Sequence, residues 1–340
     1  MNKKLKQNKA TKKIFVLALA AAAMVSCSNN DLLEVNQEAI DFGGPFVENA
    51  TRATDLSYSG STAFTAFNVY GTVKGSSANV VPIFAGDEVT GEVGVDVWSC
   101  TNKQYWINGG KYNFAAVSNE GTVATLENGL PKTITYTADD NGNKDLLFAT
   151  STRTGVQSGN TAVDFSFNHL LAKAYFTVTS NTEGGYAYTV SNLQIKGLHK
   201  EGTYTVTYTD ANTDGLYEAV TGAWAGTDAN AATSVTNFGT VENVTKADAT
   251  GKTNATELLL IPTTEKYTVS FNVTLSKSVT VEGVTTTTDI DTYPVSIEVD
   301  QDLVAGSAYN FNIGLSVGEQ IQFTVTNKPA WGGTTDVDVL

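Results

Sequence analysis

The residues able to do chemistry are few and scattered. Only two histidines occur, His169 and His199, and neither has a second histidine or a cysteine at metal-ligand spacing, so no zinc site is expected. His169 lies in Phe167-Asn168-His169-Leu170-Leu171 and reads as a packed or surface residue at a strand end; His199, in Gly197-Leu198-His199-Lys200, reads as a loop residue. Cys100, in Val97-Trp98-Ser99-Cys100, lacks a histidine close in sequence to activate it and is expected to be a small core residue. Carboxylates are plentiful, but glycoside hydrolysis needs two of them held about 5 to 9 Å apart across a cleft, which spacing in a β-rich sequence does not reveal. No nucleophile elbow, phosphate-binding loop, dinucleotide fingerprint or metalloprotease helix is present. No enzymatic activity, metal or cofactor is expected.

Two weaker constellations remain. Asp210-Ala211-Asn212-Thr213-Asp214-Gly215 places oxygen ligands at alternate positions, as in the first half of a calcium loop, but the twelfth position is Thr221 and not a bidentate glutamate. Following the alternating Tyr204-Val206-Tyr208, it reads as a hairpin turn. Trp98, Tyr105, Trp106 and Trp224 would make a sugar-binding platform if they shared a surface; a place in the core is the expected one.

The elements that carry these residues alternate with period two, which puts apolar side chains on one sheet face and polar ones on the other. Tyr267-Val269-Phe271-Val273-Leu275 and Tyr309-Phe311-Ile313-Leu315 are the clearest cases and predict half-buried antiparallel strands. Weaker versions run through Phe67-Val69, Tyr112-Phe114, Ile134-Tyr136, Phe165-Phe167, Phe176-Val178, Tyr204-Val206-Tyr208, Val295-Ile297-Val299 and Ile321-Phe323-Val325. Turn clusters such as Asp139-Asp140-Asn141-Gly142-Asn143 and Asn181-Thr182-Glu183-Gly184-Gly185 punctuate them, which predicts all-β sandwich architecture. Leu258-Leu259-Leu260-Ile261-Pro262 does not alternate and reads either as a strand covered on both faces or as one crossing from edge to core. A polar stretch from Ser151 to Asn160 suggests a boundary, giving an N-terminal unit over 53–157 and a C-terminal unit over 158–340.

Apolar residues make up 41% of the chain and charged residues 16%. The formal net charge is −14, and with the six lysines of the first 26 residues removed the remainder stands at −20. So acidic a surface repels phosphate backbones and anionic headgroups, which argues against nucleic acid as a partner. The lysine-rich start, the apolar run Ile14–Val25 and Ser26-Cys27 predict a signal peptide over 1–26. Cys27 then stands where a lipid would be attached, and Cys100 would have no disulfide partner. Residues 28–54, with the short apolar segment Ala39-Ile40-Asp41-Phe42-Gly43, read as a flexible tether or as one more strand.

Taken together, Cys27, Thr51-Arg52-Ala53-Thr54 ahead of Phe64-Thr65-Ala66-Phe67-Asn68-Val69-Tyr70, Phe167-Asn168-His169-Leu170-Leu171-Ala172-Lys173, and Ala305-Gly306-Ser307-Ala308-Tyr309-Asn310-Phe311 resemble the fimbrillin family, the subunits of type V pili in Bacteroidales. The resemblance covers nearly the whole chain. It implies two tandem transthyretin-like β-sandwich domains after a lipoprotein signal peptide, a lipid-anchored propeptide over 27–52, and export to the outer membrane and cell surface. It also implies cleavage between Arg52 and Ala53 by an arginine-specific protease, then polymerisation with other fimbrial subunits by strand exchange. Arg52 and Arg153 are the chain's only arginines, so few such cuts are available. After Trp331-Gly332-Gly333 the tail 334–340 alternates, and Val337, Val339 and Leu340 would be the apolar side chains of a donor strand; an ordinary final strand or a frayed end is the other reading. The competing functional expectation is a lipid-anchored surface protein that binds a glycan or host ligand and does not polymerise.

Overall fold

The computed structural model describes residues 35–47, 65–76, 79–92, 97–139, 144–210, 213–227, 234–248, 250–254 and 256–328. The expected signal peptide, Cys27, Arg52, Ala53, Val337, Val339 and Leu340 lie outside them.

Alternation becomes strand almost everywhere it was read. Three short strands lead, β1 (Val35–Ala39), β2 (Phe42–Gly43) and β3 (Phe46–Val47). Next come β4 (Ala66–Lys74), β5 (Val80–Thr90), β6 (Val97–Cys100), β7 (Tyr105–Ile107), β8 (Lys111–Ser118), β9 (Thr122–Glu127), β10 (Leu130–Thr137) and β11 (Leu147–Thr154). The second half holds β12 (Ser166–His169), β13 (Ala172–Ser180), β14 (Tyr186–Lys196), β15 (Glu201–Thr209), β16 (Ala219–Gly226), β17 (Val235–Val244), β18 (Lys252–Thr253), β19 (Leu258–Leu260), β20 (Tyr267–Val281), β21 (Val284–Val299), β22 (Ala308–Leu315) and β23 (Gln322–Lys328). Turn chemistry follows the residues: Asn128 and Gly129 join β9 to β10 with φ of 49° and 84°, the two left-handed positions that a two-residue hairpin loop requires.

Among the described residues the strands make four larger sheets. The first runs β2-β6-β5-β4-β8-β11-β12-β3; the second β16-β15-β10-β9; the third β18-β13-β22-β23, with β19 also on β13; the fourth β17-β14-β20-β21. Three apolar cores lie among them. The first is lined by Phe42, Phe67, Phe84, Trp98, Trp106, Phe114, Phe165 and Phe167 from the first sheet and its neighbours. The second packs the third sheet against the fourth through Phe176, Val190, Val269, Phe271, Phe311 and Ile313. A third, smaller core joins Ala115, Val117, Leu130, Ile134, Val206, Leu170 and Leu171.

Several strands serve two cores each, β8 and β19 among them. β8 is buried from Tyr112 onward: Tyr112, Phe114 and Ala116 face the first core, Ala115 and Val117 the third. In β19, Leu258 and Leu260 face the second core while Leu259 and the following Ile261 face the third. The non-alternating leucines are therefore a strand covered on both faces, the first of the two readings above.

One expectation is corrected. β22 alternates as predicted, but it is antiparallel only to β23; on its other side it runs parallel to β13 over eight residue pairs, Lys173↔Ala308 to Ser180↔Leu315. Its pattern of one buried and one half-buried face is common to both kinds of ladder, and the long connection through β14–β21 supplies the crossover that a parallel pair needs. Around the expected boundary, Ser151–Thr154 run as the end of β11 against β8, β12 extends the first sheet, and β15 pairs with β10 from Thr133↔Thr205 to Thr137↔Glu201.

Candidate functional site

The site begins from an oddity of topology. The two ends of the first sheet, β2 and β3, are separated only by Gly44 and Pro45, so one stretch of chain spans both edges and closes the sheet on itself. β2 pairs antiparallel with β6 (Phe42↔Trp98, Gly43↔Val97), and β3 pairs parallel with β12 (Ser166↔Phe46, Phe167↔Val47). A parallel bridge at Phe42↔Val163 links the two. The backbone bonds are ordinary in length: Gly43 N–H donates to Val163 O at 3.0 Å, Val163 N–H to Asp41 O at 2.8 Å, and Phe46 N–H to Phe165 O at 2.9 Å.

The side chains of this segment complete the first core. Ile40, Phe42 and Val47 are buried, whereas Asp41 and Phe46 are exposed. The Phe42 ring is fully enclosed, with Phe84 at 5.5 Å, Phe165 at 6.1 Å, Phe67 at 6.4 Å and Phe114 at 6.5 Å between centroids. Burying three such side chains stabilises the assembled sheet by about 1.5–3 kcal/mol each. Of the tether and strand readings of residues 28–54, the strand reading holds for 35–47.

Upstream, β1 pairs with β7 (Val35↔Ile107, Ala39↔Tyr105), and Ile40 N–H donates to Gln104 O at 2.8 Å. β7 is itself held by Tyr112, whose hydroxyl accepts the Ile107 N–H at 2.6 Å; burial pushes that phenol up to about 12, against the lowering effect of the Ile107 bond. The Glu38 carboxylate reaches the loop after β11. It accepts Gly159 N–H at 2.8 Å, Asn160 N–H at 2.9 Å and an Asn160 Nδ2 hydrogen at 2.9 Å.

The residues singled out for chemistry are spent on structure. His169 ends β12, and its Nδ1 lies 2.7 Å from Asp145 Oδ2, both side chains being almost wholly buried. Beside them Ser118 Oγ donates to Asp145 O and accepts Leu147 N–H, which ties the Asp145 segment to β8. Sequence reading flagged the histidine but not Asp145, 24 residues away, because no local signal marks a partner brought in by sheet pairing. His199 lies in the loop between β14 and β15, its Nε2 3.8 Å from Glu265 Oε2.

Cys100 is half-buried against the first core, and burial, with only a long bond from Sγ to Asn102 O to oppose it, raises its thiol pKa, the opposite of an activated nucleophile. Asp210 Oδ2 accepts Gly215 N–H at 2.9 Å and Asp214 Oδ1 accepts Leu216 N–H at 3.0 Å, so both carboxylates close the β15–β16 hairpin turn, as the hairpin reading expected. Trp98 and Trp106 are in the first core, Tyr105 is exposed, and Trp224 packs on the third core with Nε1 donating to Leu170 O at 2.7 Å. The four aromatics form no common platform, and three of them are packing residues.

A family model described as fimbrillin-like matches residues 51–329. Among solved structures, a fimbrial protein from Bacteroides vulgatus is 15% identical, with a TM-score of 0.60, covering 86% of this chain and 99% of its own. A fimbrial assembly protein from Parabacteroides distasonis is also 15% identical, with a TM-score of 0.38, covering 85% of this chain and 96% of its own. No curated protein matches the chain. With a family match over most of its length, the chain belongs to the fimbrillin-like family, and its build is nearly all-β.

Proposed function

We propose that the chain is the precursor of a cell-surface fimbrial subunit, anchored through lipid on Cys27, cut between Arg52 and Ala53, and assembled by strand exchange. The observation that carries this reading is the closure of the first sheet by residues upstream of the cut: β2 and β3 fill the space between β6 and β12 with Phe42 at its centre. Release of 27–52 would expose an apolar groove flanked by unpaired backbone groups on both sides, and a strand from another copy would restore both. Because the emptied groove would forfeit several kcal/mol of burial, departure and replacement are expected to be coupled. The alternating tail 334–340, with Val337, Val339 and Leu340, is the donor this chain offers. The remaining arginine supports the choice of cut: Arg153 lies within β11, paired with Tyr112 of β8, and its guanidinium is 3.8 Å from Asp164, a poor shape for a protease cleft. The proposed division into units 53–157 and 158–340 accompanies this reading, as does a role in adhesion at the cell surface.

N-terminal sequencing and intact mass of protein sheared from cells test the proposal. A start at Ala53 in high-mass assemblies is the expected result. A lipidated start at Cys27, in monomers only, would overturn it in favour of an anchored surface protein that does not polymerise.

A further inference from the structure

The segment that closes the first sheet carries a short signature. Phe42 is buried among phenylalanines, and the residue after it is glycine for a steric reason: a Cβ on Gly43 would stand 2.1 Å from Asp164 Oδ1, so any other residue would push that carboxylate off its 3.8 Å contact with Arg153. Gly44 then opens the short connection to β3. Of the chain's four Gly-Gly pairs only two follow an aromatic residue, Phe42-Gly43-Gly44 and Trp331-Gly332-Gly333. The second stands just ahead of the alternating tail.

The match extends to both sides of the signature. With Trp331 in the place of Phe42, Gly332 falls on Gly43 and clears Asp164. Ala330 falls on the exposed Asp41 and Pro329 on the buried Ile40, where the smaller side chain makes room for the larger indole. Downstream, one extra residue at the connection, Gly333-Thr334 for Gly44, brings Thr335 to Pro45, Asp336 to the exposed Phe46 and Val337 to the buried Val47. Without that residue Asp336 would fall on Val47, and burying an unpaired carboxylate costs far more than lengthening a loop. The backbone bonds can be remade: Ala330 O would accept the Val163 N–H, Gly332 N–H would donate to Val163 O and Asp336 N–H to Phe165 O, as Asp41, Gly43 and Phe46 do in the precursor. Only the Ile40 bond to Gln104 O is lost, since proline has no N–H, and proline is tolerated at the first residue of a strand. Running the valines into the pocket instead, with Val337 and Val339 at Ile40 and Phe42, underfills it and sets Leu340 against Asp164.

We infer that Trp331-Gly332-Gly333 of a second copy is the anchor of the exchanged strand: its indole fills the pocket vacated by Phe42, Gly332 against Asp164 sets the register, and the strand runs in the direction of the segment it replaces. The inference rests on the strand-exchange reading and adds to it the residue that is recognised and the register in which it is read. A second copy is the source because of reach. Lys328 pairs with Ala308, which pairs with Lys173, and the three residues from Lys328 to Trp331 stretch at most about 11 Å. The Phe42 pocket lies beside Val163, ten residues ahead of Lys173 with β12 between them, so a copy's own tail starts at the wrong end of that stretch.

The experiment uses the full chain cut at Arg52 and a labelled synthetic peptide of residues 327–340, with binding measured by anisotropy. Three altered peptides, Trp331→Ala, Gly332→Ala and Val339→Ala, are compared on the parent receptor and on its Asp164→Ala variant. On the parent, W331A is expected to bind about a hundredfold more weakly, G332A about tenfold more weakly, and V339A within about threefold of the unaltered peptide. On the D164A receptor the G332A peptide is expected to recover, because its methyl group no longer meets a carboxylate, while W331A stays weak. A G332A peptide that binds the parent as the unaltered one does, or that stays equally weak on D164A, overturns the register; a larger loss for V339A than for W331A overturns the tryptophan anchor in favour of the valines. Each of these leaves strand exchange in place. Failure of every peptide to bind the cut chain overturns strand exchange and the anchor with it. Trp331→Ala in the receptor itself is expected to leave peptide binding unchanged; tighter binding would mean that a copy's own tail fills the groove, which overturns the second copy as the source.

Discussion

The first and second cores are built from the same kind of strand and closed in opposite ways. The second core lies between sheets whose ladders are long: β13 matches β22 over eight residue pairs, and β20 matches β21 over fifteen. The first core is closed by β2 and β3, each contributing two residues to its ladder, yet the segment that carries them also inserts Phe42 into the centre. Few backbone bonds and much apolar burial make a closure that is stable while filled and replaceable by any strand with suitable side chains. Long matched ladders make one that is not. In one chain, a short-laddered closure stands beside long matched ladders, and that contrast is what the proposed strand exchange would use.

The largest expected effect that tests this contrast is at the centre of the closing segment. Phe42→Ala should lower stability by about 3–5 kcal/mol and hasten loss of the leading segment after cleavage at Arg52. Ile313→Ala in the second core should cost about 2–5 kcal/mol without changing that loss. Denaturant unfolding, paired with the rate at which the cut segment separates, reads both quantities; equal separation rates for the two variants would break the comparison. Next is β19, which faces two cores. Leu259→Ala removes a side chain from the third core only, so a cost of about 2–5 kcal/mol is expected with amide protection in β13 and β22 retained.

Smaller is the buried pair at the end of β12. Asp145→Asn should cost about 1–3 kcal/mol, measured by thermal unfolding, and raise amide exchange in β12 more than in β22, because His169 pins the strand that receives β3. Smallest is the tip of the β20–β21 hairpin, where Val281 is 64% exposed; Val281→Thr should shift stability by less than about 0.5 kcal/mol, and a larger shift would mean that this tip is covered.

Much of the fold was legible because burial on one face leaves a period-two trace. Tyr267–Val273 alternates between buried and half-buried, and Tyr309–Leu315 does the same. The trace does not carry strand direction, which is why β22 was expected to be antiparallel and is parallel to β13. At the candidate site less was legible. Two-residue strands are too short to show a period, so Ile40-Asp41-Phe42 stood equally for a tether and a strand. Neither Glu38 nor Asp145 carries a local mark of function, since the partners of both are fixed by chain brought in from more than twenty residues away. The tryptophans fitted a platform or a core by type alone, and packing assigned them.

Composition and periodicity by themselves determined an all-β, acidic chain, because residue type and local spacing suffice for those properties. Only the tertiary structure decided that residues upstream of Arg52 belong to the first core, since that depends on which two sheet edges are left facing one another, and an edge exists only once the other strands have paired.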